Sequence, residues 1–180
     1  MIGEEDNLVE RSLKGDAEAF GALYDLYHAP IYRFILLRTG RREEAEDLAH
    51  QVFLAAFEHL DHYEEKGHPF SSWLFRIARN RVIDYYRVKR ESVSLDDEIA
   101  VAVEGPLDLE GDADRALMMQ KVEQALRTLV PDHQEVIILR YIEELSLKET
   151  AAVMERSEGA VKLLQHRAMK ELRELLAYGT

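Results

Sequence analysis

The chain has 180 residues, 47% of them hydrophobic and 32% charged, and it contains no cysteine. That length allows one large domain or two small ones, and the missing cysteines exclude disulfides, thiol switches and cysteine-ligated metal sites. A net charge of −12 argues at first against nucleic acid, but residues 91–114 alone carry nine acids and no base, while 1–90 sum to −3 and 115–180 to zero, so charge does not exclude DNA binding by the flanking parts.

The N-terminus, MIGEEDNLVE, is acidic and unlike a secretory signal. No apolar run is long enough to cross a bilayer. No membrane insertion is expected, and the cytoplasm is the natural compartment. Asp16 can cap a helix through AEAFGALYDLYH, with apolar residues at Phe20, Leu23, Tyr24 and Tyr27. Pro30 is expected to interrupt it, and IYRFILLRTG to resume before Gly40 ends the stretch. From Glu43 to Leu60 runs an apolar face of Ala45, Leu48, Ala49, Val52, Ala56 and Leu60. Residues 61–69, DHYEEKGHP, contain Gly67 and Pro69 and read as a loop. Ser71 or Ser72 is expected to cap the next helix.

That helix is the most distinctive stretch of the chain. From Phe70 to Arg90 it holds six basic residues, Arg76, Arg79, Arg81, Arg87, Lys89 and Arg90, against one acid, Asp84. Phe70, Trp73, Phe75, Tyr85 and Tyr86 are interleaved with them. A cationic, aromatic helix in an acidic chain suggests a surface for phosphates and unstacked bases. The plainer alternative is an amphipathic helix with its aromatics in the core and its arginines in water.

The acidic segment that follows also contains Gly105, Pro106 and Gly111 and lacks aromatics. It reads as a flexible linker extended by its own repulsion. Beyond it, a helix is expected over roughly 113–129, and Pro131 suits the first turn of another through DHQEVIILRYIEE. Ser146 and Glu149 form a capping-box pattern, and Ser157 can cap a last helix, EGAVKLLQHRAMKELRELL. A short capped helix, a three-residue turn and a longer helix bearing Lys162, Arg167, Lys170 and Arg173 is helix-turn-helix grammar. Plain helical hairpins share it. No alternating β pattern bounded by turns appears. The expected fold class is therefore all-α, with two small helical domains at 1–90 and 113–180 joined by the acidic linker at 91–112.

An enzyme reading has little to stand on. Four of the seven histidines lie between His50 and His68, and His59 with His62 could make a metal pair. No HExxH, phosphate-cradling glycine motif or nucleophile elbow accompanies them. No catalytic residue, metal site or cofactor is expected.

Three segments match one family in order and spacing: EEAEDLAHQVFLAAFEHL (43–60), PFSSWLFRIARNRVIDYYR (69–87) and LVPDHQEVIILRYIEELSLKETAAVMERSEGAVKLLQHRA (129–168). The chain resembles the extracytoplasmic-function sigma factors, small members of the main bacterial sigma family of transcription initiation factors. The resemblance implies that 43–60 docks on the clamp helices of the RNA polymerase β′ subunit. Asp47, His50, Gln51, Leu54 and Glu58 lie opposite the apolar stripe and are the candidate contacts. His50 and Gln51 stand where the family commonly has glutamine and glutamate, which removes a carboxylate from that face.

By the same resemblance, Phe70–Arg90 opens and reads the promoter −10 element. Aromatic or guanidinium planes can replace lost base stacking at roughly 1–3 kcal/mol per base. Candidates are Arg76, Arg79, Asn80, Tyr85, Tyr86 and Arg87, of which Arg76, Asn80 and Arg87 fall near one helical face. Trp73, Leu74, Ile77 and Ala78 suit the core, and Asp84 suits an internal pair with Arg81, Arg87 or Tyr85. The preceding loop implies a pocket for a flipped-out base, for which Asp61, His62, Tyr63, Glu64 and His68 are available. The C-terminal unit implies a reader of the −35 duplex, with Ser157, Lys162, Leu163, His166, Arg167 and Lys170 on the recognition helix. Leu163, Leu164 and Met169 depart from the polar residues common in the family, which points to weaker direct readout or a different preferred sequence. Core polymerase and promoter DNA are the implied partners, with an anti-sigma factor as a further one. The alternative function is a sigma-like decoy or adaptor that binds polymerase or DNA without initiating.

Overall fold

The computed structural model describes residues 3–65, 67–92 and 113–179. Eight α-helices and no strand occur among the described residues, as an all-α sequence pattern requires. None of these helices is long and apolar enough to cross a membrane.

The N-terminal half is built from α1 (Glu4–Leu13), α2 (Ala17–Thr39), α3 (Arg42–Glu58) and α4 (Phe70–Ser92), with a short 3-10 turn at Leu60–His62. Asp16 caps α2, its Oδ1 accepting from the N–H groups of Glu18 (3.0 Å) and Ala19 (3.1 Å). Gly40 ends α2 in the left-handed region at φ 71°, where its N–H donates to the Leu36 carbonyl. The core between α2, α3 and α4 is made of Leu23, Ile31, Phe34, Ile35, Ala45, Ala49, Val52, Ala56, Leu74, Ala78 and Val82, all at most 1% exposed. Small residues on α3 let it approach the large side chains of α2, and Phe34 meets Phe75 edge-on at 5.7 Å.

Three expectations are corrected here. Pro30 does not interrupt a helix: α2 runs unbroken through it. The carbonyl that Pro30 leaves without a donor belongs to Leu26, a residue 55% exposed, while Ile31, Phe34 and Ile35 anchor the next turns in the core. Neither Ser71 nor Ser72 caps α4, because the helix already begins at Phe70 behind Pro69. The helix also continues through Glu91 and Ser92, two residues expected in the linker. The rest of that expected linker lies outside the described residues. The sequence reading also missed α1, which offers few apolar residues and is held by tertiary burial of Val9.

The C-terminal half comprises α5 (Ala113–Thr128), α6 (Pro131–Ile137) running on into a π turn at Ile138–Ile142, α7 (Leu147–Met154) and α8 (Glu158–Tyr178). Pro131 takes the first position of α6. The Ser146 hydroxyl accepts from the Glu149 N–H (3.1 Å) while the Glu149 carboxylate accepts from the Ser146 N–H (2.6 Å), a reciprocal capping box. Ser157 caps α8 by accepting from the Ala160 N–H at 3.1 Å. Glu155 takes a left-handed conformation at φ 53°, which turns the chain between α7 and α8. The core here centres on Leu126, Ile138, Leu139, Val153, Met154, Val161 and Ala168.

The two halves are docked. Helix α4 packs along α7, and α2 packs on α5 and the π turn. Their apolar residues form one continuous cluster.

Candidate functional site

The exposed face of α3 carries Asp47, His50, Gln51, Leu54 and Glu58, all five accessible to solvent. Leu54 is 58% exposed, and Phe57 beside it is 56% exposed. Phe57 meets Phe20 of α2 edge-on at 5.1 Å. An apolar pair flanked by polar and acidic side chains is chemistry for a protein partner. Phe57 escaped the sequence reading because it falls between the apolar stripe and the polar face.

Residues of the loop before α4 and the start of α4 flank a half-open cavity of about 400 Å³, lined by His62, Tyr63, Glu64, His68, Trp73 and Arg76, with Ala152 of α7 on its far side. The structure thus brings together four of the five loop residues named from sequence. Asp61 is not among them; it points to a separate cleft beside Phe20, Phe57 and Glu58. Tyr63 packs edge-on to Phe70 and tilted to Trp73, each at 5.3 Å. Burial raises its hydroxyl above the ordinary value. The His68 Nδ1 is buried with no hydrogen-bond partner among the described residues. Aromatic walls with a spare imidazole nitrogen and a guanidinium at the rim can hold a flat, hydrogen-bonding ring.

Along α4 the cationic residues divide. Arg76, Asn80 and Arg87 are exposed. Arg76 lies 4.0 Å from Glu155, and Arg87 pairs with Asp84 at 3.2 Å, the internal partner expected for that acid. Leu74 and Ala78 are buried, with Trp73 and Ile77 packed against the core. Tyr85 takes the Lys89 ammonium over its ring at 5.3 Å. Tyr86 faces inward, its hydroxyl donating to the Arg38 carbonyl at 2.5 Å, and burial raises its pKa.

Arg79 is not free for a phosphate. Its Nε donates to Oε1 of Glu135 at 2.5 Å, and the other oxygen, Oε2, accepts from Arg38 Nη1 at 3.1 Å. Glu135 is 1% exposed, so one buried carboxylate of α6 holds two guanidiniums of the N-terminal half. Arg33 adds a bidentate pair to Glu143, at 2.7 and 2.6 Å. Burial pushes the Glu143 carboxyl above its ordinary value even as Arg33 pulls it down. The Gln134 amide donates to the carbonyls of Leu37 (3.3 Å) and Leu126 (3.2 Å), one in each half. Across the seam these partners lie 56 to 110 positions apart, so no local pattern could have revealed them.

On α8, Ser157, Lys162, Leu163, His166, Arg167 and Lys170 are all exposed. Val161, Ala168 and Leu172 bury the opposite side. Leu163, at 52% exposed, interrupts an otherwise polar surface. Among the described residues no group of three or more His, Cys, Asp or Glu side chains is placed to hold a metal. His59 and His62 stack on one another at 5.6 Å.

Comparison with known proteins gives these surfaces a common frame. Residues 23–91 match the model for Sigma-70 region 2, and residues 125–174 match the model for Sigma-70, region 4. The ECF RNA polymerase sigma factor SigW of Bacillus subtilis is 33% identical, with 93% of this chain and 94% of that protein covered. The chain belongs to the ECF RNA polymerase sigma factors. The ECF RNA polymerase sigma factor BldN of Streptomyces coelicolor is 39% identical over 94% of this chain, and the chain spans 64% of that relative's length. Among solved structures, the sigma factor RpoE of Bartonella quintana in complex with the anti-sigma factor NepR superposes with a TM-score of 0.73 at 26% identity, covering 89% of this sigma factor and 98% of that chain. The region 2 match takes in α3 and α4, and the region 4 match takes in the α7–α8 pair.

Proposed function

We propose that this sigma factor binds core RNA polymerase through the exposed face of α3, directs it to promoters, and helps open them with α4 and the 61–69 loop. The observation that carries the reading is the cavity before α4, where aromatic walls, the spare His68 nitrogen and Arg76 meet at the head of an exposed Arg76–Asn80–Arg87 row. Unstacked bases need ring surfaces, and a single-strand backbone needs cations. The exposed polar face of α8 serves as the duplex reader, and residues 1–90 and 113–180 act as the −10 and −35 units. An anti-sigma protein is a fitting further partner, because a clamp on two docked halves covers both DNA-contacting faces. The region 2 and region 4 matches and the sigma-factor relatives support initiation over a decoy role.

The docked arrangement covers part of the working surface. Arg79 is engaged by Glu135, and α7 lies along α4. On this reading the halves part before α4 meets promoter DNA.

Run-off transcription with purified core polymerase tests the function. Arg76→Ala combined with Arg87→Ala should reduce open-complex formation by about tenfold or more, while core binding stays within about twofold. Leu54→Glu should do the reverse, lowering core affinity first. Parallel loss of both activities in the arginine variant would show that α4 is only structural. Core binding without specific transcripts would favour the decoy.

A further inference from the structure

A second cleft opens on the seam, away from the α4 loop and from α8. It has a volume of about 420 Å³ and is lined by Arg38, Thr39, Ile83, Tyr86 and Arg90 from the N-terminal half and by Arg127, Leu129, Pro131 and Gln134 from the C-terminal half. Guanidinium groups dominate its polar side. The Arg38 side chain is 5% exposed, and its Nε has no hydrogen-bond partner among the described residues. Arg127 has both Nε and Nη1 buried with no hydrogen-bond partner among the described residues. Arg90 stands exposed at the mouth with no ion pair among the described residues.

The charges do not balance. Among the described residues, Glu135 is shared between Arg38 and Arg79, Glu123 acts on Arg127, and Glu44, which acts on Tyr86, is paired with Arg41. Of the carboxylates near the cleft's three guanidiniums, Arg38, Arg90 and Arg127, Glu135 and Glu44 are thus already engaged by other arginines. Burial pushes the Arg127 guanidinium down from its ordinary value, as expected for a cation short of counter-charge. Buried N–H groups left unmade are costly. Planar forks with spare donors match the oxygens of a phosphate. The remaining lining, Ile83, Leu129, Pro131 and the Tyr86 ring, is apolar and offers a surface for a flat organic group. The volume lies in the range of small-ligand sites and exceeds what an inorganic ion would fill.

We propose that this seam cleft is a binding site for a nucleotide-sized phosphate ester, its oxyanion held by Arg38 and Arg127 with Arg90 at the mouth and its ring on Ile83, Leu129 and Tyr86. The site is complete only when the two halves are docked, so the ligand selects the docked arrangement and holds α4 under α7. It thereby gives the chain a small-molecule input that is separate from any protein inhibitor.

Thermal unfolding of the full chain tests this, with ATP, pyrophosphate and adenosine compared at matched ionic strength. ATP should raise the melting temperature by about 3–5 °C at roughly ten times its Kd. ATP acting more strongly than pyrophosphate is the expected result, since the ring contributes; pyrophosphate acting as well as ATP would overturn the nucleotide-sized site. Arg127→Gln should abolish the shift, whereas Lys14→Gln on distant α1 should keep it. Should Arg127→Gln unfold the protein, Arg90→Gln, at an exposed position, should weaken the shift by itself. Adenosine shifting the transition as much as ATP, no shift with any probe, or a full ATP shift in Arg90→Gln would each overturn the proposal.

Discussion

At the start of α2 the Asp16 carboxylate does two things at once. It caps the helix through Glu18 and Ala19, and its other oxygen accepts from Arg11 Nε (2.9 Å) and Nη2 (2.7 Å). The Ala19 amide, then Arg11, hold its pKa below the ordinary 3.8. A lowered carboxyl contributes stability that is present above its unfolded value and lost as pH falls through its lower folded value. An NMR titration should place the Asp16 midpoint below 3.8, and Asp16→Asn should remove that part of the acid sensitivity. Single residues of this kind were legible in the sequence because capping is local: Asp16, Ser146 and Ser157 each act within three positions of themselves. Arg79 was not, because its partner is set by another helix altogether.

At the scale of elements, α2 shows packing overriding propensity. Proline inside a helix costs about 3 kcal/mol relative to alanine, yet the buried side chains on either side of Pro30 keep α2 whole. Pro30→Ala should therefore stabilise the protein, by about 1–3 kcal/mol in urea unfolding, with the fold unchanged. The π turn at Ile138–Ile142 is a second such element. The Glu143 N–H reaches back to the Ile138 carbonyl at 2.9 Å, and the widened turn leaves the Glu143 side chain 2% exposed on Arg33. Sequence periodicity predicted a plain helix there, since an inserted residue leaves the surrounding apolar pattern readable. The amphipathic stripe of α3 was read from sequence with its face correctly assigned, because it buries one continuous side, and the α7–α8 pair was read from its caps, which are local.

For the whole molecule the decisive contact is Glu135 between Arg38 and Arg79. Removing one partner of a buried ionic cluster costs roughly 3–5 kcal/mol, because the opposing charges stay buried without compensation. Glu135→Gln should loosen the seam: small-angle scattering should show a larger radius of gyration, and Arg79 should become available to single-stranded −10 DNA. An unchanged scattering profile would mean that the apolar cluster alone holds the halves together. The charge partition of the chain hid this arrangement, since counting gives a neutral C-terminal part and says nothing of where its acids point.

By itself the sequence determined the all-α class, the helices other than α1, most of their caps, the family, and which faces of α3 and α8 stand outward. Those follow from interactions within a few residues of each other along the chain. Only the tertiary structure decided that the halves dock, that Arg79 and Tyr86 turn inward, that Asp61 leaves the loop cavity, and that Arg38, Arg90 and Arg127 gather in the seam cleft. These depend on side chains far apart in sequence that meet in a low-dielectric interior. There, burial and counter-charge fix which cation is engaged, and no local period encodes the partner.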